Sequence, residues 1–77
     1  MISDSPRPLS KVEVGATVTF VSIDAGGDLK QRLAAMGLLP NVRITVVRNW
    51  HCGRIIINVK NTKVVLGRGM AHKVMVQ

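Results

Sequence analysis

The sequence predicts a small, mainly β protein in which five short strands form a partly open barrel beside one short helix. The 77-residue chain is 47% hydrophobic and rich in Val and Ile, a composition typical of folded domains rather than disordered chains. Its β-branched residues occur in short runs separated by turn residues, a spacing typical of small β-barrels. A chain of this size forms one core and has little room for a deep cleft.

The chain is expected to hold one domain. Residues 1–8, with Pro6 and Pro8, are predicted to be a flexible N-terminal arm, and residues 9–77 the folded domain. The N-terminus has no basic start or apolar segment typical of a secretory signal, and no apolar run approaches the roughly 18 residues of a membrane span. A single cysteine, Cys52, excludes an internal disulfide and suits a reducing compartment. We therefore expect a cytoplasmic protein.

The strands are predicted from runs of β-branched residues bounded by Gly, Pro, Asn and Asp. They cover residues 16–23, 42–49, 54–60, 63–66 and 73–76. A tight turn around Asn61 and Thr62 is expected to join the third and fourth strands. Residues 67–72 contain two glycines and are predicted to form a turn or one turn of 3₁₀ helix.

One helix is predicted over residues 29–36, where Leu29, Leu33 and Met36 recur on one face. Asp28 is expected to cap its start, with Gln31 reaching back as in a capping box. Gly37 is expected to supply the left-handed conformation that ends the helix and lets Leu38 fold back on Leu33. The next residues, Leu39-Pro40-Asn41-Val42, predict a turn with Asn at the position that tolerates a positive φ.

The sequence offers little for catalysis and predicts no cofactor. The four acidic residues lie within the first 28 positions, and no pair has a spacing that suggests acid–base chemistry. His51, Cys52, Met70 and His72 are types that bind metals, but they lack the spacing of a known metal motif. We predict a surface turn at residues 49–53, no metal site, no catalytic residue and no enzyme activity.

The charge is strongly asymmetric. The net charge is +7, and after Asp28 the chain has nine basic residues and no acidic one. The positive electrostatic field of these residues attracts phosphates, acidic proteins or anionic membranes. The nucleic-acid alternative is disfavoured, because stacking platforms are limited to Phe20 and Trp50 and no recognition helix is present.

The C-terminal end of the predicted helix is another candidate binding site, because apolar residues adjoin a cation there. Leu39 is hard to explain as a core residue, and Arg32 lies beside the apolar face of the helix. We predict a partner-binding patch that comprises Arg32, Met36, Leu38, Leu39 and Pro40.

Residues 29–41, LKQRLAAMGLLPN, resemble the FeoA family, ferrous iron transport protein A, whose members carry RL, then MGL, then a Pro-Gly turn before a strand. The similarity extends over about residues 9–76, through the spacing of Leu9 and Gly15 and the closing segments 64–66 and 71–76. Two departures are Asn41 in place of the usual Gly, and Gly67-Arg68-Gly69-Met70 where many members carry a more charged turn.

The resemblance implies an SH3-like five-stranded β-barrel. It also implies an accessory protein that binds the cytoplasmic GTPase-containing region of a membrane ferrous iron transporter and modulates it, peripheral to the membrane and possessing no inserted segment. Arg32 matches the RL motif, where docking is favoured over action on a nucleotide. The same barrel resembles the C-terminal interaction domain of iron- or manganese-dependent repressors, which is the other alternative. The sequence does not define the oligomeric state.

Overall fold

The computed structural model describes residues 6–50 and 53–77, and in them six strands form one antiparallel sheet. The strands are β1 (Arg7–Pro8), β2 (Thr17–Ile23), β3 (Arg43–Asn49), β4 (Ile55–Val59), β5 (Thr62–Leu66) and β6 (Val74–Val76). Helix α1 spans Gly27–Ala35, helix α2 spans Arg68–Lys73, and a 3₁₀ turn spans Leu9–Lys11. The order across the sheet is β1-β6-β2-β3-β4-β5. The predicted mainly β class is confirmed.

Strand β2 gives the sheet its barrel shape because it pairs with two different neighbours along its length. Thr17, Val18 and Thr19 pair with β3, whereas Phe20, Ser22 and Ile23 pair with β6. The register shifts between Phe20 and Ser22, and a shift of this kind bends a strand and increases its twist. The two halves of the sheet therefore curve around one core.

The core consists of inward-facing residues from every long strand and from α1. Alternation is clearest in β4, where Ile55, Ile57 and Val59 are buried and the two residues between them are half-buried. Leu9, Val12, Leu33 and Leu38 close the core from outside the sheet. Burial of large aliphatic side chains is the main force that stabilises a domain of this size.

Helix α1 differs from its prediction at the N-terminus. Its N-cap is Gly26, which is extended and makes no side-chain capping bond, so the expected Asp28–Gln31 capping box is wrong. Glycine is an acceptable N-cap, and the helix can therefore begin before Asp28. Asp28 lies instead in the first turn, where its charge is favourable beside the helix dipole.

Two local predictions in the second half of the chain are also corrected. The β4–β5 turn consists of Lys60 and Asn61, which both have positive φ, because Val59 pairs with Thr62. Residues 68–73 form a short α-helix rather than a turn or 3₁₀ helix, since Ala71 is buried and its N–H donates to the Gly67 carbonyl at 2.9 Å.

At the N-terminal end, Arg7 and Pro8, assigned by the prediction to the arm, pair with the last strand. The short segment forms the edge strand β1, so the five predicted strands become six. Residues 1–5 lie outside the described part of the chain.

Candidate functional site

The C-terminus of α1 is built so that a buried leucine is followed directly by an exposed one. Gly37 adopts φ +97°, and its N–H donates to the Ala34 carbonyl at 3.0 Å. The Leu38 N–H donates to the Leu33 carbonyl at 2.9 Å, which completes a Schellman motif. Leu38 is therefore directed into the core beside Leu33, as the sequence predicted, whereas Leu39 emerges at the surface.

The turn after α1 is fixed to strand β2 by main-chain hydrogen bonds. The Val42 N–H donates to the Leu39 carbonyl at 3.1 Å, and Asn41 has φ 72°, which together define the predicted turn. The Asn41 N–H donates to the Phe20 carbonyl at 2.9 Å, and the Phe20 N–H donates to the Val42 carbonyl at 2.8 Å. Leu39 and Pro40 are thus held at a defined distance from β2.

A groove of about 220 Å³ lies between this turn, helix α1 and strand β2. It is lined by Phe20, Val21, Ser22, Ile23, Lys30, Ala34, Leu38, Leu39 and Pro40. Most of these side chains are apolar, and Lys30 supplies a cation. Because Ala34 is small and stands one turn after Lys30, it leaves room between the helix and the strand.

The predicted patch is brought together only in part. Leu38, Leu39 and Pro40 all line the groove, but Leu38 is only 2% exposed, because the Schellman motif turns its side chain inward. Leu39 is 45% exposed, so a partner that enters the groove can reach its side chain.

The other two predicted residues lie on a different side of α1. Arg32 is two positions after Lys30 and therefore points about 200° away around the helix. It lines a separate shallow depression with Asp28, Leu29 and Gln31. Met36, four positions after Arg32, shares that side and is 40% exposed. The structure therefore separates Arg32 and Met36 from the groove.

Sequence reasoning missed the contribution of strand β2 and of Lys30 to the groove. Val21 is half-buried and Ser22 is exposed beside the register shift in β2. The 4-residue spacing of Lys30 and Ala34 could have indicated a shared helix face, but only the packing of α1 on β2 shows what that face adjoins.

Among the residues outside the groove that can carry chemistry, His72 is already hydrogen-bonded: its Nδ1 lies 3.0 Å from the Ser10 hydroxyl. In residues 6–50 and 53–77, no three His, Cys, Asp or Glu side chains are close enough to hold a metal ion. His51 and Cys52, which the sequence raised as metal ligands, lie outside the described residues.

Arg68 is the centre of a hydrogen-bond network that joins α2, the 3₁₀ turn and the end of β3. Its Nη2 donates to Asn49 Oδ1 at 2.6 Å and to the Trp50 carbonyl. Asn49 Nδ2 in turn donates to the carbonyls of Ser10 at 3.1 Å and Val12 at 2.8 Å. This network satisfies partly buried carbonyls and fixes the main chain at Trp50, so we interpret it as structural.

The remaining basic residues after Asp28 are exposed. They are Lys30, Arg32, Arg43, Arg48, Arg54, Lys60, Lys63 and Lys73. The positive charge is therefore a property of the surface, available to a partner, as the sequence predicted.

Comparison with known proteins identifies the family. The model of the FeoA domain matches residues 7–77. The chain belongs to the FeoA family. It is 39% identical over 70 residues to a protein of Methanocaldococcus jannaschii named Fe(2+) transport protein A, with 91% of this chain and 84% of that protein covered. The FeoA resemblance of residues 29–41 is thereby confirmed, and the chain is a small accessory protein of ferrous iron transport.

Solved structures confirm the SH3-like FeoA fold. The crystal structure of an iron uptake regulatory protein, FeoA, superposes with a TM-score of 0.88 at 36% identity, covering 95% of this chain and 97% of that one. A manganese-dependent transcriptional repressor superposes with a TM-score of 0.85 at 24% identity, covering 99% of this chain but 43% of the repressor. The expected likeness to repressors is therefore present, and it concerns the fold alone.

The two α-helices in the described residues are too short to cross a bilayer.

Proposed function

We propose that this FeoA-family protein binds the cytoplasmic GTPase-containing region of a membrane ferrous iron transporter and modulates it. The observation that carries the proposal is the groove between α1 and β2, where the exposed Leu39 and Pro40 lie beside a largely apolar cleft with Lys30 in its lining. A groove of this kind accepts an apolar side chain of a partner, and the cation selects a partner with an acidic neighbour. The protein works in the cytoplasm, at the inner face of the membrane that holds the transporter.

Leu39 is the proposed contact with the greatest energetic weight. Apolar side chains that become fully desolvated at the centre of an interface contribute most of the binding free energy, whereas charges at the rim act mainly on association rate. Leu39 and Pro40 form one wall of the groove and are exposed in the unbound chain. Leu38 contributes the floor and acts mainly by holding the turn in place.

Arg32 is proposed to dock rather than to act on the nucleotide. It projects from the regular helix α1, which is attached to the core through Leu33. An arginine that completes a GTPase site must reach the phosphates of a bound nucleotide, which a residue fixed on a short packed helix is poorly placed to do. Arg32 and Met36 therefore form a second contact area on the side of α1 away from the groove.

The test is a calorimetric titration of the full chain into the purified cytoplasmic region of the transporter at low salt, where attraction between opposite charges is strongest. Leu39→Asp should weaken binding at least about tenfold, a loss of about 1.4 kcal/mol. The matched control is Val65→Asp, which introduces the same charge at another exposed aliphatic residue that does not line the groove. Absence of binding by the unmodified chain contradicts the proposal, and equal effects of the two substitutions contradict the groove as its location.

A second measurement addresses modulation and the role of Arg32. GTP hydrolysis by the cytoplasmic region is followed with and without the chain, and with Arg32→Lys, which retains the charge but not the planar guanidinium. A docking role predicts that Arg32→Lys changes GTP turnover only as far as it changes binding. A fall in turnover at saturating concentrations of the variant would contradict docking and assign Arg32 a role at the nucleotide.

A further inference from the structure

The outer face of strands β3, β4 and β5 carries a row of side chains that the core does not use. Arg48 is paired with Ile56, and Ile56 is paired with Val65. Directly opposite residues of antiparallel strands point to the same face of a sheet. Their neighbours Ile55, Ile57, Val64 and Leu66 are buried, so the row points outward. Val65 is 54% exposed although it is a large aliphatic residue.

The face continues beyond the ends of the strands. The Trp50 N–H donates to the Arg54 carbonyl at 3.3 Å, which extends the pairing of β3 with β4 by one position. Strand alternation places Trp50 on the face of Arg48 and Arg54 on the face of Ile56. Trp50 is 52% exposed, and Arg54 is also exposed. Lys63, two positions before Val65, adds a third exposed cation. We use the name outer sheet patch for six residues: Arg48, Trp50, Arg54, Ile56, Lys63 and Val65.

The charge of this patch is unbalanced. Arg48, Arg54 and Lys63 are positive, and none of the six patch residues is acidic. The main chain at Trp50 is held by the Arg68 guanidinium, so the ring is presented from a fixed position. The patch therefore combines an aromatic ring, two aliphatic side chains and three cations on one side of a sheet.

The form of the patch favours a membrane over a folded protein. The apolar groove lies elsewhere, between α1 and β2, whereas the patch is one face of a sheet. A folded partner needs a complementary shape, whereas a bilayer of mobile lipids adapts to the outer face of a curved sheet. Tryptophan is enriched at the level of lipid headgroups, and Lys and Arg bind anionic lipid phosphates near the surface.

We propose that the outer sheet patch binds an anionic phospholipid bilayer, with Trp50 among the headgroups and Arg48, Arg54 and Lys63 over the lipid phosphates. The proposal extends the proposed recruitment to the inner face of the membrane and assigns it a surface. The groove at Leu39 lies on other elements, so the patch can face the lipid while the groove holds a partner.

The first experiment uses the full chain and vesicles without any protein. Vesicles of phosphatidylcholine mixed with phosphatidylglycerol are compared with vesicles of phosphatidylcholine alone, by sedimentation and by tryptophan emission. Trp50 is the only tryptophan of the chain, so a blue shift of emission reports this patch alone. We expect sedimentation and a blue shift with the anionic vesicles, both weakened by salt. Sedimentation without a blue shift, or no sedimentation, overturns the proposal.

Two double variants test whether vesicle binding depends on the outer sheet patch or only on the net positive charge of the protein. Arg48→Gln combined with Arg54→Gln should weaken vesicle binding about 25-fold, at about fivefold for each cation. The matched control, Lys30→Gln combined with Arg32→Gln, removes the same charge from α1 and should retain most of the binding. Equal losses overturn the proposal, since they would show that net charge alone is responsible.

Two further measurements test whether the ligand is a membrane or a polymer, and distinguish this proposal from the proposed function. A single-stranded oligonucleotide or an acidic polypeptide that shifts Trp50 emission as much as the anionic vesicles do overturns the membrane in favour of a polymer. Leu39→Asp should leave vesicle binding unchanged. The vesicles contain no transporter, so the two proposals are tested independently. Absence of vesicle binding would not affect the proposed binding to the GTPase-containing region, and absence of that binding would not affect the proposed binding to the membrane.

Discussion

The Arg68 guanidinium donates to the Asn49 side-chain carbonyl at 2.6 Å, which joins the short helix α2 to the end of β3. The two residues are 19 positions apart, and Asn49 extends the connection by donating to the carbonyls of Ser10 and Val12. The side-chain amide of Asn49 therefore joins α2, the end of β3 and the segment of the 3₁₀ turn. The same guanidinium holds the main chain of Trp50, so this contact supports the proposed membrane-facing patch from behind.

Replacement of Asn49 by Ala is expected to lower the free energy of unfolding by about 1–3 kcal/mol, because it leaves partly buried donors and acceptors without partners. Asn49→Asp should also destabilise the protein. Its carboxylate can accept from Arg68 but cannot donate to the two carbonyls. Unfolding in urea measures both changes.

The control for these variants is Arg43→Ala, which alters an exposed residue at the other end of the same strand. Its effect should remain within about 0.5 kcal/mol. If Asn49→Ala has no greater effect than Arg43→Ala, the network does not stabilise the fold and the interpretation of Arg68 as structural is wrong.

Truncation of the two adjacent leucines after α1 is expected to change the stability of the protein to very different extents. Leu38 is buried beside Leu33, so Leu38→Ala should cost about 2–5 kcal/mol of folding free energy. Leu39 is exposed, and Leu39→Ala should change stability by less than about 0.5 kcal/mol. Thermal unfolding of the two variants checks the difference. A large loss from Leu39→Ala would show that this residue is part of the core and unsuitable as a docking contact.

The features that the sequence predicted correctly depend on local backbone requirements. Gly37 and Asn41 were both expected to occupy unusual backbone positions, and both have positive φ. The five predicted strands were placed to within a residue or two, because β-branched runs and turn residues alternate along the chain, whereas β1 was not predicted. The start of α1 was misplaced because Asp28 is a good cap but Gly26 can also serve as one.

The features that were missed depend on long-range packing. Lys30 lines the groove only because α1 lies against β2. The spacing of Leu29 and Leu33 indicates a buried face of the helix but does not specify which strand that face meets. The Arg68 network requires Ser10, Asn49 and Arg68 to meet, and these positions are far apart in sequence. Arg32 was grouped with Leu39 through proximity in sequence, whereas helical geometry separates them.

The β4–β5 turn offers a way to stabilise the protein. Lys60 and Asn61 both have positive φ, at 51° and 65°, as in the two-residue hairpin turn that favours Asn followed by Gly. Lysine is poorly suited to that conformation, whereas asparagine tolerates it. Lys60→Asn should therefore raise the free energy of unfolding by about 0.5 kcal/mol. Urea unfolding measures the gain, with Lys63→Asn as a control outside the turn, and a loss of stability at position 60 would contradict the turn assignment.

The Schellman motif at Gly37 determines whether Leu39 reaches the surface at the right place. Gly37 has φ +97°, and a Cβ there would meet Val59 Cγ1 at an ordinary 3.7 Å, so any cost of Gly37→Ala comes from the backbone rather than from a clash. We expect a loss of about 1–2 kcal/mol in the free energy of unfolding, because a left-handed conformation is unfavourable for Ala.

Gly27→Ala is the matched control in the same helix. Its Cβ would meet nothing within 4 Å, and its φ is not positive. Alanine restricts the unfolded chain without straining the folded one, so this variant should be unchanged or more stable by up to about 1 kcal/mol. Thermal unfolding compares the two variants. Equal stabilities would show that the left-handed residue at position 37 is not required to end α1, and the fixed position of Leu39 would then need another cause.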